Sequence, residues 1–136
     1  MTVSKDFVTF YSPGTFFAEE TTKPIDQWNP AAALAMAEGI TKRYNAKPFG
    51  FRFTTRTREE SDLDSMVTAT SPMYYFGVKV ETLAEVMARE PESILAANMR
   101  GNGWSHIVTA TGGYKASQPL LDGDIVLDEN GAPMPL

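Results

Sequence analysis

Arg52, Arg56 and Arg58 are the residues best suited to chemistry in this chain. In an extended strand, side chains two positions apart share a face, so this spacing aligns three guanidinium groups. Such a row repels itself unless an anion or nearby carboxylates answer it, and guanidinium forks match phosphate geometry. The sequence leaves two readings open: a phosphate-bearing ligand, or a solvated outer face paired with acids such as Glu59 and Glu60. An anion site would need donors from other segments too, and Asn98, Arg100, Asn102 and Lys115 are the candidates.

Signals for catalysis are sparse. His106 is the single histidine, within Trp104-Ser105-His106-Ile107-Val108, where a strand places it on the face of Trp104 and Val108. It can serve as a near-neutral acid or base, although a structural role is the simpler reading. No Gly-x-Ser-x-Gly elbow accompanies it, and one imidazole cannot build a multi-histidine metal site. Asp62, Asp64, Glu59 and Glu60 lack the spacing of a calcium loop, and Asp122-Gly123-Asp124 reads as a turn. Arg100-Gly101-Asn102-Gly103 could cradle an anion on backbone amides, or simply end a helix. No cysteine is present, which removes thiolate nucleophiles, disulfides and sulfur-bound zinc, and no cofactor is implied.

These residues must be held by a small set of elements. Phe7 to Tyr11 and Phe16-Phe17 flank Ser12-Pro13-Gly14, a hairpin pattern. Asn29-Pro30 opens a helix to about Tyr44, with Ala33, Ala37, Ile40 and Tyr44 as its apolar stripe. From Phe49 the period becomes two: Phe49, Phe51, Phe53, Thr55 and Thr57 face one way, the arginines the other. Met73 to Val80 predicts a second strand beside it. Thr82-Leu83-Ala84-Glu85 is a capping box, and Pro91 suits the first turn of a further helix carrying Ile94, Leu95 and Met99, ended by Gly101 or Gly103. Strands follow at Trp104 to Thr109 and Ile125 to Leu127. The expectation is one α+β domain over residues 1–128, mainly antiparallel, with one longer helix and two short ones, and a loose tail over 129–136.

Composition agrees: 136 residues, 43% hydrophobic and 21% charged, are enough for one core. The net charge of −5 argues against general nucleic-acid binding. No run approaches the ~20 apolar residues of a membrane span and no leader pattern opens the chain, so a cytoplasmic protein is expected.

The stretch Val80-Glu81-Thr82-Leu83-Ala84-Glu85-Val86, the run Glu90-Pro91 through Ile94-Leu95 and Asn98-Met99 to Asn102-Gly103-Trp104, and Gln118-Pro119 with Asp124-Ile125-Val126-Leu127 resemble a phage-encoded family. That family is the anti-Thoeris sponges, which bind the glycocyclic ADP-ribose signal of bacterial TIR-domain proteins, some also holding cyclic oligonucleotides. The resemblance covers the C-terminal half. It implies an anti-defence protein of the infected bacterial cytoplasm that sequesters a cyclic nucleotide without cleaving it. It also implies a homo-oligomer, a hexamer in the family's pattern, with sites between subunits. On that pattern Asn98 and Lys115 match ligand-contacting positions, the arginine strand adds phosphate contacts, and Trp104, Tyr75 or Phe76 offers a ring to the base. One departure stands out: Tyr114-Lys115-Ala116-Ser117 replaces an arginine or aromatic residue before Gln-Pro, keeping the charge but losing the fork. The competing expectations are a protein-interaction or structural module, and a small nucleotide hydrolase using His106 with Asp122 or Asp124.

Overall fold

The computed structural model describes residues 4–12, 15–21, 29–44, 48–57, 72–111 and 117–136. Its architecture is α+β, with three helices among the described residues and two sheets. Strands β1 (Ser4–Ser12) and β2 (Thr15–Thr21) pair antiparallel with Ser12 opposite Thr15, the expected hairpin. Helix α1 spans Pro30–Tyr44. Asn29 Oδ1 accepts the Ala32 amide at 2.9 Å, so the cap read from Asn29-Pro30 is formed.

Strand β3 (Gly50–Thr57) lies antiparallel to β1. The predicted strand over Met73 to Val80 divides in two. Strand β4 (Tyr74–Tyr75) pairs with β3, and after Phe76 the chain turns at Gly77, whose φ of +60° is left-handed. Strand β5 (Val78–Thr82) then starts the other sheet. The apolar run shows no break because Phe-Gly-Val keeps the hydropathy of a strand while glycine permits the turn.

Thr82 forms the expected capping box with Glu85 and opens α2 (Leu83–Arg89). The next helix, α3 (Ile94–Asn102), is capped by Ser93, whose hydroxyl accepts the Ala96 amide at 3.0 Å, so Pro91 falls in the preceding turn. Gly103 ends it with φ +70°, while Gly101 is helical. Strand β6 is His106–Ala110, two residues shorter at its start than the pattern suggested. It is followed by β7 (Ser117–Pro119) and β8 (Ile125–Val126).

The large sheet has the order β2-β1-β3-β4-β8, antiparallel except for the parallel β4–β8 pair, and the small sheet is β5-β6-β7. Three core clusters fix the stacking. Ala33, Ala37 and Ile40 of α1 pack on Val8, Phe10, Phe51, Phe53 and Leu127. The opposite face of the large sheet meets the small sheet through Phe49, Met73, Tyr75, Val108, Ala110 and Val126. The outer face of the small sheet carries α2 and α3 through Ile107, Val86, Ala96 and Met99. The order is α1, large sheet, small sheet, α2–α3. Phe49 therefore belongs to a different cluster from Phe51 and Phe53, and Trp104 packs with Ile107 rather than Val108. Of the apolar residues that α3 carries, Met99 is buried and Ile94 is 81% exposed.

Residues 128–134 are hydrogen-bonded where a loose tail was expected. Asp128 Oδ1 accepts the amides of Asn130 and Ala132, the Met134 amide donates to the Val126 carbonyl, and Leu127 bridges to Pro133. Gly131, at φ +82°, sits so close to Ala31 of α1 that a Cβ would lie 2.8 Å from that backbone. No described helix is long and apolar enough to cross a membrane.

Candidate functional site

The β1–β3 ladder sets Thr9 opposite Arg52 and Lys5 opposite Arg56. Strand alternation puts these four positions on one face, opposite the face that Val8, Phe10, Phe51 and Phe53 give to α1. Thr9 is 3% exposed and Arg52 half-buried. Thr9 Oγ1 and Arg52 Nε are buried, and among the described residues neither has a hydrogen-bond partner. Such orphaned polar atoms are uncommon, because each forfeits water without replacement.

Tyr75 extends this face toward the small sheet. It is buried, stacks on Phe49 with ring centroids 5.9 Å apart, and its hydroxyl donates to Gln118 Oε1 at 3.4 Å. Its ring thus packs inside the protein instead of lying open as a stacking surface. Burial pushes its phenol up to about 12; the Asp124 carboxylate adds to this and the Arg52 guanidinium opposes it. Asp124 itself ties the turn before β8: Oδ1 accepts the Met73 amide at 3.2 Å and Oδ2 the Leu121 amide at 3.0 Å. With Gly123 at φ +87°, Asp122-Gly123-Asp124 is the turn its residues suggested.

The other sequence-predicted residues lie elsewhere. Asn98, Arg100 and Asn102 are exposed on α3, which covers the face of the small sheet turned away from Arg52. Arg100 Nε donates to the Ala96 carbonyl at 3.4 Å and Asn102 Nδ2 to the Asn98 carbonyl at 2.8 Å, so both serve the helix end. Trp104 is half-buried against α2 and α3, its amide closing α3 on the Met99 carbonyl at 2.9 Å. Within one chain, then, Asn98, Arg100, Asn102 and Trp104 do not converge on Arg52. Arg58 and Lys115 lie outside the described residues, as do Glu59, Glu60, Asp62 and Asp64, and Arg56 is described only by its ladder position. His106 is half-buried with Nδ1 2.9 Å from Ser105 Oγ. Among the described residues no group of three metal-ligating side chains forms. Thr9 and Gln118 escaped the sequence reading, since only the register and the stacking of the sheets bring them to Arg52 and Tyr75.

Two of the concavities among the described residues lie against the small sheet. One, about 330 Å³, lies in the seam where α1, the Phe76-Gly77 crossing and the end of β6 meet. Another, about 440 Å³, lies on the outer face of the small sheet around buried Glu81, which accepts from Arg89 and has Lys79 Nζ at 3.9 Å. Arg89 also donates to Glu90 Oε2 at 2.9 Å, and this bond and one with Ser93 hold the Glu90 carboxyl below its ordinary range. Neither concavity is lined by Arg52 or by the α3 donors. Compared with family models, with curated proteins and with solved structures, the chain matches none of them.

Proposed function

We propose that this protein binds and sequesters a phosphate-bearing cyclic nucleotide signal, of the glycocyclic ADP-ribose class, without cleaving it, and that it acts in the cytoplasm of an infected bacterium. The observation that carries the reading is the pair of buried, unpartnered polar atoms, Arg52 Nε and Thr9 Oγ1, on a face whose ladder also sets Lys5 opposite Arg56. Both orphaned atoms can donate, and a phosphate oxygen satisfies such donors with charge-assisted bonds. Sequestration needs donors and a shaped surface, and no nucleophile or metal. The reading includes a homo-oligomer because the resemblance implies sites shared between subunits, and the separation of Arg52 from Asn98 and Arg100 in one chain is compatible with that. A second copy supplies the α3 donors to the β3 face of the first.

Calorimetry with a cyclic ADP-ribose isomer tests this. Arg52→Gln should weaken binding about 10-fold or more, through loss of a charge-assisted bond of roughly 1.5–3 kcal/mol. Heat release followed by mass analysis should return intact ligand, and light scattering should give a mass above that of one chain. A converted ligand, or binding unchanged by the substitution, overturns the reading. The protein-interaction alternative draws on Ile94 at 81% and Leu121 at 54% exposure, and it requires that no nucleotide binds.

A further inference from the structure

The seam cavity is a consequence of the left-handed turn at Gly77. There the chain leaves the large sheet for the small one, and the two sheets and α1 diverge around a space they do not fill. Ala37, Phe49, Phe76 and Ala110 make it largely apolar. Its two threonines have already given their hydroxyl protons: Thr41 Oγ1 donates to the Ala37 carbonyl at 2.9 Å and Thr111 Oγ1 to the Gly77 carbonyl at 2.7 Å. With both hydroxyls engaged, the wall formed by Ala37, Phe49, Phe76 and Ala110 holds ordered water poorly and favours an apolar guest.

Among the described lining residues, the charged ones belong to α1. Glu38 and Lys42 line the cavity one helical turn apart, both exposed, and among the described residues neither has an ion pair. A simple anion would be drawn by Lys42 and repelled by Glu38, and a simple cation the reverse. A molecule carrying an ammonium and a carboxylate side by side answers both. About 330 Å³ is the small end of the range for ligand sites, roughly 300–1,000 Å³, and suits one ring better than two. We infer that the seam cavity binds a small aromatic zwitterion of amino-acid size. The ring lies between Phe49 and Phe76, the ammonium meets Glu38 and the carboxylate meets Lys42. This site is separate from the β3 face and does not rest on the nucleotide reading.

The test titrates the full chain with L-phenylalanine, phenethylamine and 3-phenylpropionate while backbone amide resonances are followed. Phenylalanine should shift the amides of residues 37–42, 77 and 111 saturably. Lys42→Gln should weaken phenylalanine and phenylpropionate about two- to fivefold and leave phenethylamine unchanged; Glu38→Gln should weaken phenylalanine and phenethylamine and spare phenylpropionate. Thr41→Trp, filling the space from a half-buried helix position, should abolish all three, and Arg52→Gln should alter none. Shifts that fail to saturate at millimolar ligand overturn the inference, as do shifts mapping elsewhere or charge variants without the stated selectivity. The two charge variants sit at exposed positions and decide the matter even if Thr41→Trp does not fold.

Discussion

Thr9→Val removes one hydroxyl and keeps the β-branched shape. Threonine at this position is 3% exposed with its oxygen unpartnered, so the folded state bears a desolvation penalty that the unfolded chain does not. An orphaned polar group costs roughly 1–3 kcal/mol, and the added methyl carbon takes the place of an oxygen of nearly the same size. We expect the variant to be more stable by about 1 kcal/mol, which for a chain of this length raises Tm by roughly 4 °C. Affinity for the nucleotide should move the other way, about 10-fold weaker, because a hydroxyl bond to a charged acceptor is worth roughly 1.5–3 kcal/mol. Thr9→Ser, which keeps the hydroxyl and loses a methyl group, should instead be less stable and still bind. Calorimetric scans and titrations on the three proteins measure both quantities. A lower Tm for Thr9→Val would mean that the hydroxyl has a partner after all. A higher Tm with unchanged affinity would remove Thr9 from the ligand site. The opposed signs are what a position held for binding at the expense of stability should display.

Tyr75 makes stability pH-dependent in the alkaline range. Its folded phenol is pushed up to about 12 from an ordinary 10, so the unfolded chain loses its proton first. Stability is therefore full below about pH 10 and falls as pH rises toward 12, by up to about 1.4 kcal/mol per pH unit. Urea titrations of Tyr75→Phe should show a flatter profile there, and an identical profile would exclude this phenol as the source. Gly77→Ala meets nothing within 4 Å and should cost only the left-handed conformation, roughly 1–2 kcal/mol, whereas Gly131→Ala also drives a Cβ to 2.8 Å from the Ala31 backbone and should cost clearly more. Equal losses by urea denaturation would contradict the packing of residue 131 on α1. Phe51→Ala should cost roughly 3–5 kcal/mol, since Phe51 is fully buried among Phe10, Phe53, Tyr74 and Phe76 with centroids 5.3–5.9 Å away. A loss below about 1 kcal/mol would show that these rings repack freely.

The elements that could be read from sequence are those set by local rules. The Asn29 and Thr82 caps, the Ala33-Ala37-Ile40 stripe of α1 and the alternation of Phe51, Arg52 and Phe53 in β3 all depend on residues within a few positions of one another, and each is formed. What stayed hidden depends on distant partners. Nothing local in Met73 to Val80 tells that its two halves join different sheets, because that choice is made by Phe51 and Val108 across the fold. Nor does the tail's composition reveal that Gly131 packs on Ala31, some hundred residues upstream. The same holds for the site. Arg52 was legible as one of an aligned set, but its neighbour Thr9 is a register fact. Whether Asn98, Arg100 and Asn102 converge on Arg52 is not readable from sequence either, because a sequence motif has no layers.

The parallel pairing of β8 with β4 also governs when the large sheet can be completed. Met73 and Tyr75 offer their carbonyls to the amides of Ile125 and Leu127, fifty-two residues later in each case. During synthesis from the N-terminus, β1, β2, β3 and β4 emerge well before any partner for β4's outer edge exists. Until Ile125 to Leu127 appear, the nascent chain carries a sheet with an unpaired margin beside Tyr74 and Tyr75, the kind of margin that recruits foreign strands. Translation that stalls just short of Ile125 should therefore leave a chain more prone to self-association than one stopped before Tyr74, and a helper that shields extended strands would matter most in that interval.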